Sequence, residues 1–170
     1  MSIKFAILTV SDRSSSGLRD DLSGPALQGA VGDYGWEVAR ADIVPDEISA
    51  IKERLCQWSD SGKINVILTT GGTGFTPRDV TPEATKEVLD RNAPGLAEAM
   101  RAGSLTITPH AMLSRAVAGI RKQTLIVNLP GSPKGALENF RIIAPVLPHA
   151  VQLLENDSGA EENHQRPLAA

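Results

Sequence analysis

Cysteine is nearly absent from this chain: Cys56 is the only one in 170 residues. A lone thiol excludes an internal disulfide and any multi-thiolate metal site. Its helix-like surroundings read as those of a small apolar residue rather than a nucleophile. The three histidines, His110, His149 and His164, show no metal-ligand spacing. Aromatic residues make up only 4% of the chain, so the core has to be built mainly from Val, Ile, Leu and Ala. No apolar run approaches the ~20 residues of a membrane-spanning helix. Met1 to Phe5 carries no basic region leading into a long apolar stretch, so no signal peptide is expected. These absences point to a cytoplasmic protein without a membrane partner. Excess positive charge is missing as well, because 17 Lys and Arg stand against 20 Asp and Glu, for a net charge of −3. Non-specific nucleic-acid affinity comes from such an excess, and no nucleic-acid partner is expected.

Some familiar motifs are also missing. There is no Gly-x-Ser-x-Gly elbow and no Walker-type loop ending in Gly-Lys-Ser/Thr. The dinucleotide spacing G-x-G-x-x-G fails too, since Gly72 and Gly74 are followed by Pro77 where the third glycine belongs.

What is present reads as one domain, on a prior of roughly 150 residues per domain. Three short apolar runs, Phe5 to Val10, Val66 to Leu68 with its flanks, and Thr124 to Val127, have the character of strands covered on both faces. Trp36 to Val44 is a weaker strand candidate after the helix-like stretch Pro25 to Asp33. In Asp46 to Trp58, the residues Ile48, Ile51, Leu55 and Trp58 recur at helical spacing. Thr81-Pro82-Glu83 and Ser132-Pro133 both read as a cap followed by proline at the first helical position. Pro145 and Pro148 interrupt the pattern before Val151 to Leu154. Strands alternating with helices predict an α/β fold: a mostly parallel sheet with helices on both faces, in a single compact domain over residues 1–156. Residues 157–170 read as a polar, acidic, flexible tail.

In open α/β sheets, ligands bind outside the carboxyl ends of the strands, and these ends are chemically rich. The first runs into Ser11-Asp12-Arg13, the second into Val44-Pro45-Asp46-Glu47, the third into Thr70-Gly71-Gly72-Thr73-Gly74 and then Arg78-Asp79, and the fourth into Asn128-Leu129-Pro130-Gly131-Ser132-Pro133-Lys134. Glycines let backbone N–H groups converge on an anion; Thr73 can add a hydroxyl and Arg78 a charge. Asp46 and Asp79 suit a hard cation such as Mg²⁺, which takes one or two carboxylates together with phosphate oxygens. Asp46 could equally cap the helix after it, and Asp79 could pair with Arg78 or brace the loop. Arg13, Arg78, Arg115 and Lys134 are candidate anion contacts, Arg115 within a patterned helix.

The strings Thr70-Gly71-Gly72-Thr73-Gly74 and Arg78-Asp79-Val80-Thr81-Pro82-Glu83-Ala84-Thr85 resemble the signature of the molybdopterin adenylyltransferase family. Val44-Pro45-Asp46-Glu47, Leu113-Ser114-Arg115, the Asn128 to Lys134 segment and the opening Ser11-Asp12-Arg13 with Asp21 match its other landmarks in order, over about residues 3 to 155. The resemblance implies an α/β enzyme of molybdenum cofactor biosynthesis, assembled as a homotrimer. It would transfer AMP from ATP to the terminal phosphate of molybdopterin, with Mg²⁺, and release pyrophosphate. The product would pass to a downstream molybdate-insertion protein. By the same resemblance, Asp46 and Asp79 are the catalytic acids and the Mg²⁺ ligands. Gly71, Gly72, Thr73, Gly74 and Arg78 would bind the ATP phosphates. Ser11, Asp12, Arg13, Ser114, Arg115, Asn128, Pro130, Gly131, Ser132 and Lys134 would line the molybdopterin and nucleotide pocket. The alternative is a non-catalytic carrier of molybdopterin or the finished cofactor on the same fold. A generic phosphosugar-binding domain would explain the anion loop but not the order of the motifs.

Overall fold

A computed structural model describes residues 2–155. The proposed domain end at residue 156, the tail 157–170 and His164 lie outside the described residues. The three apolar runs become β1 (Lys4–Val10), β3 (Val66–Thr70) and β6 (Thr124–Leu129), and the weaker candidate becomes β2 (Glu37–Val44). They stand in a six-stranded sheet of order β2-β1-β3-β6-β5-β4, completed by β4 (Arg91–Asn92) and β5 (Ala118–Arg121). β2, β1, β3 and β6 pair in parallel; β5 and β4 add an antiparallel margin. That margin escaped the sequence reading because its strands are short and carry Arg91, Asn92 and Arg121 instead of an apolar run. The turn joining β5 to β6 holds Lys122 at φ 52°, a left-handed conformation usually given to Gly or Asn.

Alternation along the central strands sorts their side chains to two cores. Phe5, Ile7, Val66, Leu68, Leu125 and Val127 face one side, under α2 (Ser23–Asp33), α5 (Pro94–Leu105), α6 (Pro133–Ile143) and α7 (Leu147–Leu154). Ala6, Leu8, Ile67 and Ile126 face the other, under α3 (Ile48–Asp60) and α4 (Thr81–Val88). Each fully buried Leu, Ile, Val or Phe contributes about 1.5–3 kcal/mol relative to exposure. Four of the chain's few aromatics gather on one core: Trp36 stacks on Phe5 at 5.3 Å and on Tyr34 at 4.7 Å, with Phe140 edge-on.

Two cap readings divide. Ser132 caps α6, its hydroxyl accepting from the Gly135 N–H. Thr81 does not cap α4: the cap position is Val80, and the Thr81 hydroxyl is used elsewhere. The proline-rich stretch after α6 is a 3₁₀ turn over Ala144–Val146, with Pro148 in the first turn of α7.

Asp60 ends α3, where a negative charge opposes the helix dipole. Arg121 corrects this with two hydrogen bonds of 2.9 Å to its carboxylate, and Lys122 adds an ion pair at 3.1 Å. The Arg121 bonds first, then those of Lys122, bring the Asp60 carboxyl down to about 2 from 3.8. A depressed carboxyl stabilises the fold above its ordinary value and stops doing so as pH falls through the depressed one. Asp60→Asn should therefore lower the melting temperature near neutral pH, and thermal melts should show the gap from wild type closing between pH 3.8 and about 2.

Candidate active site

After β1 the chain moves out to β2, then crosses back to place β3 on the other side of β1. Such a reversal opens a crevice at the carboxyl ends of the two strands. A cavity of about 380 Å³ lies there, and Ser11, Asp46, Gly71, Gly72, Asp79 and Gly131 are among its walls.

The loop after β3 owes its shape to its carbonyls. Gly71 O accepts from the Thr81 hydroxyl at 2.9 Å and Gly72 O from the Thr81 N–H at 3.0 Å. Thr73 O accepts from the Arg115 N–H at 2.9 Å and Gly74 O from Arg115 Nε at 2.7 Å. By contrast, the N–H groups of Gly72, Thr73, Gly74 and Phe75 donate to no group among the described residues. A turn with its carbonyls fastened and its N–H groups unused has the donors to receive an anion. Two of its glycines are obligatory. Gly71 and Gly72 have φ of 104° and 65°, and a Cβ on Gly71 would stand 2.3 Å from Val10 O.

Both candidate acids lie against this loop. Asp46 Oδ1 is 3.1 Å from where a Gly72 Cβ would be, and Asp79 Oδ2 is 2.9 Å from the Gly74 position. Asp79 Oδ2 also accepts from the Thr76 N–H at 2.8 Å, closing the turn. Asp46 is not the cap of α3. That position is Glu47, and Asp46 Oδ2 instead accepts from the Asp12 N–H at 2.8 Å. Burial pushes the Asp46 carboxyl up; the Asp12 N–H pulls it part of the way back, and the negative charges of Asp12 and Asp79 add to the rise.

Residues 6–149 match the family model described as a probable molybdopterin binding domain. The chain belongs to that family. Among its members, the molybdopterin adenylyltransferase of Helicobacter pylori (strain J99) is 42% identical over 155 residues, covering 90% of this chain and 88% of its own. Gephyrin of Dictyostelium discoideum is 46% identical over 171 residues; the match takes in 94% of this chain but only 24% of gephyrin. The chain thus spans about a quarter of that longer relative. The crystal structure of the molybdopterin biosynthesis enzyme MoaB from Thermus thermophilus superposes with a TM-score of 0.86 at 51% identity, covering 91% of this chain and 98% of that one.

The fold divides the family's motif residues between two neighbouring hollows and the scaffold beneath them. Ser114, Pro130 and Ser132 line a second cavity of about 230 Å³, beside Arg101, Thr108, His110 and Asn139. Ser132 borders both cavities. Arg115 lies not in a helix but in the segment after the 3₁₀ turn Pro109–Leu113. Besides its bond to Gly74 it donates to Asp79 O at 2.5 Å and pairs with Glu83, so it braces the loop from behind. That pairing draws the Glu83 carboxyl down. Asn128 is 0% exposed and lies beneath the site rather than in it: its amide donates to Thr69 and Thr85 at 3.0 and 2.9 Å, and its oxygen accepts from the Val117 N–H at 3.3 Å. Arg78 is held by Asp12, not by the loop. Arg13 is exposed on the short helix α1 (Asp12–Ser15) and borders neither cavity. Lys134 also borders neither; its side chain is 81% exposed, with Glu138 3.9 Å away.

Sequence reasoning passed over part of the wall between β1 and α2. Ser14, Arg19, Asp20 and Ser23 line the first cavity, and Ser23 Oγ donates to Gly131 O at 2.6 Å. Asp21, which had been noted only within the opening motif, accepts from the Thr9 hydroxyl at 2.6 Å and from the Gly24 N–H at 3.0 Å. The available signal was position: these residues belong to the connection from the carboxyl end of β1 to the start of α2.

Two substitutions test this scaffold. Gly72→Ala puts a Cβ 2.3 Å from the Thr81 hydroxyl at a positive φ, and should cost about 1–3 kcal/mol in a denaturant titration. Asn128→Ala strands two buried hydroxyls and a backbone N–H, and the same titration should show a loss of about 2–4 kcal/mol.

Proposed function

We propose that this chain is a molybdopterin adenylyltransferase: it joins AMP from ATP to the terminal phosphate of molybdopterin and releases pyrophosphate. The observation that carries this reading is a single cavity lined by Gly71, Gly72, Asp46 and Asp79, at the start of a loop whose N–H groups from Gly72 to Phe75 have no partner among the described residues. Loop and cavity suit the triphosphate. The adjoining hollow with Ser114 and Pro130 suits the pterin, and Ser132 stands between them.

An oxygen of the molybdopterin phosphate attacks the α-phosphorus of ATP. The bond from that phosphorus to the bridging oxygen breaks, and pyrophosphate departs with the electron pair. The nucleophile is already anionic, so no strong general base is needed. The difficulty is the approach of two anions, which makes positioning and charge neutralisation the main tasks. Loop N–H groups hold the phosphates, and Arg115 keeps the loop in shape through the Gly74 and Asp79 carbonyls. The donor set fits Mg²⁺: Asp46 and Asp79 are hard oxygen ligands whose mutual repulsion a cation relieves. Mg²⁺ held by these two residues would supply charge neutralisation on the triphosphate and the leaving pyrophosphate. The reading extends to a cytoplasmic homotrimer that delivers its product to a molybdate-insertion protein. Among the described residues no helix is long and apolar enough to cross a membrane.

The test is an incubation of purified protein with molybdopterin, ATP and Mg²⁺, following pyrophosphate and adenylyl-molybdopterin together. Asp46→Asn and Asp79→Asn should keep the wild-type circular dichroism yet lose at least ~100-fold in turnover. Tight pterin binding without pyrophosphate release would make the protein a carrier instead.

A further inference from the structure

One carboxylate ties together three of the loops that form the site. The Asp12 N–H donates to Asp46 Oδ2 at 2.8 Å, and the Asp46 N–H returns a bond to Asp12 Oδ1 at 3.0 Å. Arg78 grips the same carboxylate in a fork, Nε to Oδ2 and Nη2 to Oδ1, both at 2.9 Å. Asp12 follows β1, Asp46 follows β2, and Arg78 belongs to the loop after β3. The fork holds the Asp12 carboxyl below the usual carboxylate range.

The fork leaves one guanidinium nitrogen over. Nε and Nη2 are committed to Asp12, whereas Nη1 of Arg78 donates to no group among the described residues, and the side chain is 58% exposed. Arg78 lies one residue before Asp79, which lines the first cavity. Asp46 is divided in a similar way: Oδ2 is bound to the Asp12 backbone, and Oδ1 lies on the Gly72 side. A bidentate carboxylate fixes the plane of a guanidinium as well as its position, which a single-point contact would not do.

We infer that Asp12 is a positioning residue for nucleotide binding. It holds Arg78, the neighbour of the cavity residue Asp79, with Nη1 free for a phosphate oxygen, and it presents the unbound oxygen of Asp46 to the same ligand. This inference rests on reading the cavity as the ATP site. Asp12 touches no substrate; its effect on affinity passes through Arg78 and Asp46. Removing its charge should weaken nucleotide binding even though ATP is itself anionic.

The experiment is a double-mutant cycle read by calorimetric titration of the full chain with ATP, with and without Mg²⁺, on Asp12→Asn, Arg78→Ala and the double variant. Asp12→Asn should raise the ATP Kd by about 10-fold in the wild-type background, the scale of one charge-assisted hydrogen bond. In the Arg78→Ala background the same change should shift Kd by less than about threefold, because the relay is already cut. Arg78→Lys, which keeps the charge and loses the fork, should resemble Arg78→Ala. Thermal melts on the same samples separate the alternative: a purely structural role lowers the melting temperature and leaves Kd unchanged. Tighter ATP binding in Asp12→Asn would overturn the inference by making Asp12 a competitor of the phosphates. Equal effects in both backgrounds would overturn it as well. Failure of the wild-type protein to bind ATP at all would instead sink the reading of the cavity on which the inference rests.

Discussion

Two residues, Thr81 and Arg115, hold four consecutive carbonyls from Gly71 to Gly74. Thr81 contributes its hydroxyl and its N–H; Arg115 contributes its N–H and Nε. A peptide turned so that its carbonyl is fastened on one side directs its N–H the other way, because the two groups lie trans across a planar unit. The loop's N–H groups are thereby left for a ligand. Arg115 reaches on to the Asp79 carbonyl and to Glu83, so the acid of the third strand end is carried on the same frame. Without these bonds the glycines would be a flexible connection, since glycine loses more conformational freedom on ordering than any other residue.

That frame is rooted in the core. Asn128, near the end of β6, bonds Thr69 on β3 and Thr85 on α4, and takes the N–H of Val117. Val117 is two residues beyond Arg115, so the segment carrying the loop's brace is itself fixed from the buried side. A fully satisfied polar network in a low-dielectric interior is rigid, and a half-satisfied one is costly. Family membership had marked Asn128 as a pocket residue. Its burial makes it the foundation under the pocket, a role equally dependent on its identity.

The site combines precision with like-charge crowding. Burial raises the Asp46 carboxyl, the nearby charges of Asp12 and Asp79 add to the rise, and the forked Arg78 offsets part of it. Among the described residues no three acids, histidines or cysteines converge into a ready-made metal cage. The two hollows meet at Ser132, which borders both.

Much of the fold was legible in the chain itself. The short apolar runs in β1, β3 and β6 read as strands covered on both faces, and the spacing of Ile51, Leu55 and Trp58 reads as one buried side of a helix. The strand-end rule then located the glycine loop and both acids without coordinates. The antiparallel margin was not legible, because β4 and β5 are too short to carry a period. Nor was the division of labour among polar residues. Asp46 was equally readable as a helix cap, Thr81 as a cap, and Arg115 as a phosphate ligand. Each of these side chains bonds a group 10 to 41 positions away. Periodicity and spacing report which face of an element is buried, and that much the sequence determined by itself. Which polar group meets which is set by the distances between strand ends, and only packing the helices onto the sheet decides those.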